Sequence, residues 1–505
     1  MMRALLSVGG FTMVSRITGF AREIFIAAIV GAGPLMDAFV VAFRLPNHFR
    51  AIFAEGAFNS AFVPLYTKIR TQSGDSAAST FADDILSWQV VAQAGLLLVA
   101  LLAMPWIVAG LAPGFVDDPQ QLALCIALTR ITFGYLLCIT LVTHLGAMLN
   151  ARGYFKAAAA APVLLNVFMI AGVLTAAWFP TAAHGVAWGV LAGGVAEALL
   201  LVAAAWRAGI RFRVRWPALP QEARAFFGNF GPAVVGSAGV QLALFADTML
   251  VSFLAAGEPS SLYFADRINQ LPLGVIGVAL GTVLLPEMSR LLAAGDIAGS
   301  ARAQARAAEI GLLLTLPCMA LFVLIPHEIM LGLFSRGAFD QQAAASAATV
   351  LQAYALGMPA FILIRCVTPM FHARGDTVTP ARATLTSIGF NMAVKVGLIF
   401  GLGWGAEGLA LGTSVGAWIS LGLLLVFAWR EGLLSLPPSF GLRVSGIAAA
   451  TAFMIAVLVL VGPLLLAAAH GLGQFGNEVA LMALGLVAGG AYGLAAFGQG
   501  LHRRL

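Results

Sequence analysis

Eight of the 28 Lys and Arg residues stand inside long apolar runs: Arg16, Arg22, Arg44, Arg50, Arg130, Arg267, Arg365 and Lys395. A cation at mid-membrane costs about 2.5–3.5 kcal/mol even on the lenient insertion scale, so such a residue faces a polar cavity or a partner. All but Lys395 are Arg, whose planar, permanently charged guanidinium forks onto phosphate or carboxylate oxygens. At 1.5 Å per helical residue, Arg22, Arg44 and Arg267 lie about 12–14 Å from the outer ends of their spans, and Arg16 and Arg50 about 21–23 Å. Two tiers of guanidinium suit an anion with several oxygens, such as a pyrophosphate. The alternative is that each Arg is locked to backbone carbonyls or to an acid such as Glu23, Asp37, Glu55 or Asp266. Ser15, Asn47, Asn269 and Gln270 share these spans and can either hydrogen-bond a ligand or join helices.

Two acids are candidate gating groups, Asp37 and Glu55. Asp37 follows the Gly31-Ala32-Gly33-Pro34 turn, where it either pairs with an Arg in one state or is an exposed acid complementing the helix dipole. A second constellation joins Asp247 to Asn391 and Lys395, the last two on one helix face at i,i+4. Oxygen ligands from Asp247 and Asn391 could hold a cation, but the Lys395 ammonium can take the cation's place. An internal ion pair is therefore the favoured reading.

The elements that must carry these groups follow from composition. The chain has 505 residues, 60% of them hydrophobic and 10% charged, with a mean hydropathy of +0.94. A soluble protein carries about 25% charged residues. A bilayer span takes about 20 apolar residues. Apolar runs bounded by Gly, Pro and charge predict fourteen spans: 5–31, 36–66, 81–111, 121–148, 156–178, 184–206, 225–256, 260–289, 307–332, 342–372, 381–402, 405–429, 443–467 and 476–499. The expected fold class is thus an all-α polytopic membrane protein with 14 transmembrane helices.

Charge placement orients it. With the N-terminus inside, every basic residue outside the spans except Arg336 falls in a cytoplasmic connection, from Arg3 through the Arg207–Arg224 stretch to Arg503 and Arg504. Such a bias predicts both termini cytoplasmic. The same asymmetry explains the pI near 9.5 without nucleic acid as a partner. Trp88, Trp106, Trp178, Trp206 and Trp216 fall near span ends and read as interfacial anchors.

An internal duplication is visible. Phe62-Val63-Pro64 matches Leu284-Leu285-Pro286, and Ala151-Arg152-Gly153 matches Ala373-Arg374-Gly375, both 222 positions apart. The repeat predicts an N-terminal six-helix lobe at 1–207 and a C-terminal six-helix lobe at 223–431 in one orientation. Transporter sites commonly lie at such repeat interfaces. A last helix pair, 441–505, follows the Leu436-Pro437-Pro438 break. Cys125, Cys138, Cys318 and Cys366 lie in apolar stretches without metal-ligand spacing and read as buried hydrophobes. No nucleophile, phosphate-loop or metalloenzyme motif is present, so no cofactor or metal is expected. The Asp83-Asp84 and Asp117-Asp118 pairs at span ends read as solvated charge.

The segments Ser15-Arg16-Ile17-Thr18-Gly19-Phe20-Ala21-Arg22-Glu23, Asp37-Ala38-Phe39, Arg44-Leu45-Pro46-Asn47, Ile52–Phe58, Tyr263-Phe264-Ala265-Asp266-Arg267 and Gly277–Thr282 closely resemble the MurJ (MviN) family of lipid II flippases, in the MOP exporter superfamily. The resemblance implies two six-helix lobes around a central cationic cavity, with the last helix pair forming a groove for a lipid tail. It implies translocation of undecaprenyl-pyrophosphate-linked disaccharide-pentapeptide, lipid II, from the inner to the outer leaflet of the bacterial plasma membrane by alternating access. The family's essential arginines map onto Arg16, Arg22, Arg50 and Arg267, and its essential aspartate onto Asp37. Gln270 stands where relatives carry a carboxylate. The expected partners are lipid II, membrane lipids and cell-wall synthesis proteins, around a monomer. A drug or cation antiporter of the same superfamily is the alternative, and it would want an unpaired intramembrane acid rather than an Arg excess. A scaffold for cell-wall enzymes would tolerate loss of the cavity arginines.

Overall fold

The computed structural model describes residues 2–50, 56–435, 437–471 and 473–500. In chain order the helices are α1 (Met2–Val30), α2 (Pro34–Arg50), α3 (Gly56–Leu111), α4 (Pro119–Phe133), α5 (Tyr135–Ala151), α6 (Lys156–Leu174), α7 (Ala182–Arg207), α8 (Gln221–Ser252), α9 (Glu258–Ala293), α10 (Ile297–Leu324), α11 (Pro326–Phe334), α12 (Gln341–Ala355), α13 (Met358–His372), α14 (Val378–Val396), α15 (Ala406–Arg430), α16 (Ser439–His470) and α17 (Gly476–Gly498). No strand occurs among the described residues. Eleven helical stretches there are long and apolar enough to cross a membrane. The all-α polytopic class is therefore established, while eleven rather than fourteen spans meet this standard. Chain breaks explain part of the difference. The second predicted span divides into α2, 17 residues long, and the start of α3. The ninth is among the eleven as α10 but ends early, because Ile325 leaves helical geometry and Pro326 opens a new helix, α11, as proline at a first helical turn does.

The chain forms two compact units, residues 1–259 with 336–339, and residues 260–335 with 340–505. In the first, α3, α5 and α8 meet in an aromatic cluster, with Phe58, Phe62, Tyr66, Phe81 and Phe226 all buried. Gly74 (φ 86°) bends α3. In the second, α9, α10, α13 and α15 enclose Met288, Ile362, Cys366, Met370 and Leu421. The last pair, α16 and α17, packs on α10 around Met454, Leu458 and Leu484, and Tyr492 Oη donates to the Leu313 carbonyl at 2.6 Å.

Lipid is as apolar as leucine, so membrane helices associate through close backbone approach at small residues. On α7, Gly185, Gly189 and Gly193 form such a stripe against α6: a Cβ at Gly185 would lie 2.4 Å from the Gly172 oxygen, and one at Gly189 2.7 Å from the Phe168 oxygen. On α15, Gly408, Gly412 and Gly416 repeat the spacing, Gly412 and Gly416 against α14 and Gly408 against Leu398 just beyond its end. The two stripes are 223 positions apart, a second trace of the duplication.

Asp83 and Asp84 overturn their reading as solvated charge. They are 9% and 4% exposed and strap the segment after α7 onto α3. Arg213 N donates to Asp83 Oδ1 at 3.0 Å, Arg215 N to Ser87 Oγ at 3.0 Å, and Arg215 Nε sits 3.2 Å from Asp84. Trp88 adds to the strap, donating its Nε1–H to the Ala218 carbonyl at 2.7 Å. An extended segment must satisfy its backbone groups somewhere, and here α3 side chains do so. Asp84→Ala is expected to raise the rate of tryptic cleavage at Arg211, Arg213 and Arg215 several-fold. An unchanged digestion time course would show that the strap holds without that carboxylate.

Candidate functional site

On α1, Arg16 is exposed, with no hydrogen bond or ion pair among the described residues, whereas Arg22 is fixed. Arg22 donates through Nη1 to Asn166 Oδ1 at 2.8 Å, lies against Met169 Sδ, and pairs through Nη2 with the carboxylate of Glu23, itself 2% exposed. Asn166, on α6, donates in turn to the Ser15 carbonyl at 3.1 Å and to Thr18 Oγ1 at 3.3 Å. Gly19 leaves room for that amide, a Cβ there lying 3.4 Å from Asn166 Nδ2. Ser15 thus takes part through its backbone.

Asp37 begins α2 and is 1% exposed, which rules out the exposed helix-start reading. Its Oδ2 accepts from Gly257 N at 2.7 Å, in the turn between α8 and α9 where Gly257 has φ +89°. Arg44 Nη1 donates to Thr248 Oγ1 at 3.4 Å. Asn47 and Arg50 end α2, both half-buried. Glu55, the other candidate gating acid, lies outside the described residues.

In the second unit, α9 carries Arg267 with its guanidinium carbon 4.6 Å from the Tyr263 ring centroid, a cation–π contact. Gln270 Nε2 donates to Asp266 Oδ2 at 2.6 Å. Asn269 is buried. Arg365 on α13 is exposed and its stem crosses Gly277, where a Cβ would lie 2.7 Å from it.

Asn391 and Lys395 share the α14 face toward α15, as their i,i+4 spacing predicts. Lys395 is 2% exposed, with Cγ 2.4 Å from where a Cβ on Gly412 would stand, and Asn391 meets Gly416 in the same way. Asp247 lies half-buried on α8, in the first unit. Position 172, the counterpart of Lys395 at the 223-residue offset, is Gly, so the lysine stem fills space that the first unit closes with backbone. Lys395→Ala is expected to cost about 2 kcal/mol or more through lost packing. Lys395→Met retains the stem, so a drop in melting temperature in that variant too would trace the cost to the charge. Unchanged stability and activity of Lys395→Ala would remove the residue from both roles.

Among the described residues no group of three His, Cys, Asp or Glu side chains is placed to hold a metal, and the four cysteines are free. Reading the intramembrane charges alone missed Asn166 and Glu197. Glu197 on α7 is 2% exposed and accepts from Tyr135 Oη at 3.3 Å. Each is a lone polar residue in an apolar run, the same signal that singled out the arginines.

The family model described as "Lipid II flippase MurJ" matches residues 26–481. A Rhizobium meliloti (strain 1021) protein named "Probable lipid II flippase MurJ" is 40% identical over 433 residues, covering 84% of this chain and 80% of its own. The "Lipid II flippase MurJ" of Burkholderia cenocepacia is 33% identical over 453 residues, 87% of this chain and 86% of its own. Among solved structures, "Lipid II flippase MurJ, inward closed conformation" superposes with a TM-score of 0.80 at 23% identity, covering 97% of both chains. A multidrug resistance MATE family transporter of the MOP superfamily, in an inward-facing conformation, superposes at 0.67 and 14% identity, over 88% of this chain and 99% of its own. The fold is shared across that superfamily, and at the level of sequence the chain belongs to the lipid II flippase MurJ family.

Proposed function

We propose that this protein moves lipid II from the inner to the outer leaflet of the bacterial plasma membrane by alternating access, with both termini cytoplasmic. The observation that carries the reading is the family match across residues 26–481. The chemistry of the side chains agrees with it. Arg16, Arg22, Arg50 and Arg267 supply donors suited to a pyrophosphate, with Ser15 and Asn47 beside them. Asp37 and Glu55 serve as gating acids: Asp37 competes for an arginine and promotes release. Lobes 1–207 and 223–431 carry the headgroup, and helices 441–505 offer the polyprenyl tail an apolar path. Lipid II is the partner, the working unit is a monomer among membrane lipids, and cell-wall synthesis proteins receive the product.

The test is made in cells depleted of the protein. Pyrophosphate-linked precursor on the outer leaflet is measured against the total pool. The expected result is a rising pool with a falling outer fraction, reversed by the wild-type chain. An outer fraction unchanged on depletion would overturn the reading and leave a scaffold or an antiporter in its place.

A further inference from the structure

In the first unit, the turn between α5 and α6 and the end of α7 frame a cleft of about 620 Å³, within the range of small-molecule sites. Helices α6 and α7 run antiparallel, with Gly185 on Gly172 and Gly193 on Leu165. Lys156, the first residue of α6, and Arg207, the last of α7, therefore stand at the same end of the pair, and both line the cleft. Its walls are apolar: Phe11 from α1, Leu149 from α5, Ala160 from α6, and Leu200 and Ala204 from α7. Tyr154 and Phe155 at its mouth are 53% and 39% exposed, in the turn after Gly153, which has φ +84°. Exposed aromatics beside cations mark the headgroup level of a bilayer.

The two cations decide what the cleft can take. Lys156 and Arg207 are exposed, and their side chains have no hydrogen bond or ion pair among the described residues. None of the residues lining the cleft is acidic. Lys156 stands in the first turn of α6, where the helix dipole disfavours a cation, so helix stability does not account for it. An ammonium and a guanidinium facing one opening suit an oxyanion, and basic pockets between transmembrane helices are where anionic headgroups bind. The walls then narrow the class. Phe11, Leu149, Ala160, Leu200 and Ala204 offer no side-chain hydrogen-bonding group, so an acidic peptide would lose backbone hydrogen bonds against them. Inorganic phosphate would leave them uncovered, whereas an acyl chain covers them. A zwitterionic headgroup would bring its own ammonium toward two like charges.

We propose that this cleft binds an anionic glycerophospholipid of the inner leaflet, its phosphodiester between the Lys156 ammonium and the Arg207 guanidinium and an acyl chain along Phe11, Leu149 and Leu200. None of the arginines assigned to lipid II lines the cleft, so the site is independent of that assignment.

The experiment measures phospholipid retained by the purified full-length chain, by native mass spectrometry and by thermal shift. The probes are phosphatidylglycerol, phosphatidylcholine and inorganic phosphate. Wild-type protein is expected to retain and be stabilised by phosphatidylglycerol over both others. The double variant Lys156→Gln, Arg207→Gln removes two exposed side chains that hold nothing else, so it should fold normally and weaken that retention about 30-fold, the scale of two basic residues facing an anionic lipid. Ala203→Trp is the independent probe: Ala203 is an exposed residue lining the cleft, and the indole fills the space of the acyl chain while both cations remain. It is expected to weaken retention as much. Phosphatidylglycerol retained as in wild type by either variant would overturn the proposal. So would phosphatidylcholine held as tightly as phosphatidylglycerol, or equal stabilisation by inorganic phosphate alone.

Discussion

Arg16→Ala is expected to leave the protein folded and to remove most of its transport. Arg16 is exposed and has no hydrogen bond or ion pair among the described residues, so its loss strands no acid and opens no cavity, and the melting temperature should hold. A charged hydrogen-bonding contact contributes about 1.5–3 kcal/mol. Losing one to a pyrophosphate should lower the translocation rate about 10- to 100-fold, read as the outer-leaflet fraction of precursor in depleted cells carrying the variant. Arg22→Ala is the instructive comparison. There the buried Glu23 carboxylate and the Asn166 amide lose their partner, and breaking a buried pair costs several kcal/mol. That variant should lose both stability and transport. A normal outer-leaflet fraction with Arg16→Ala would take this arginine out of the substrate's path.

Gly185→Val is expected to damage the fold severely. A Cβ at 185 would stand 2.4 Å from the Gly172 oxygen and 3.2 Å from the Phe179 ring. Neither the α6 backbone nor the facing helix can yield without separating the pair. Overpacking typically costs about 1–3 kcal/mol and more where backbone is the obstacle, so little folded protein should be recovered from detergent extracts. The control lies on α17, where a Cβ at Gly489 meets nothing within 4 Å. Gly489→Ala should be neutral or slightly stabilising, since alanine gains up to about 1 kcal/mol over glycine in a helix. Equal yields of the two variants would show that the α6–α7 contact tolerates a separation that its geometry disallows.

Much of this protein is legible in one dimension. Apolar length and the scarcity of charge are local properties, so they determine that the chain is a bundle of membrane helices. The cost of a cation in lipid singles out Arg16, Arg22 and Arg267 without any coordinates. The i,i+4 spacing of Asn391 and Lys395 is likewise enough to put them on one face. Partners separated by a hundred residues or more are a different matter. That Asn166 holds Arg22, that Asp37 is buried against Gly257, and that Asp83 and Asp84 hold a linker rather than face water are outcomes of packing. Only the fold brings these residues into contact with each other, and only burial makes their hydrogen bonds obligatory. The glycine stripes stand between the two cases: their spacing is plain in the sequence, but a missing side chain acquires meaning only from the carbonyl or lysine stem that occupies its place.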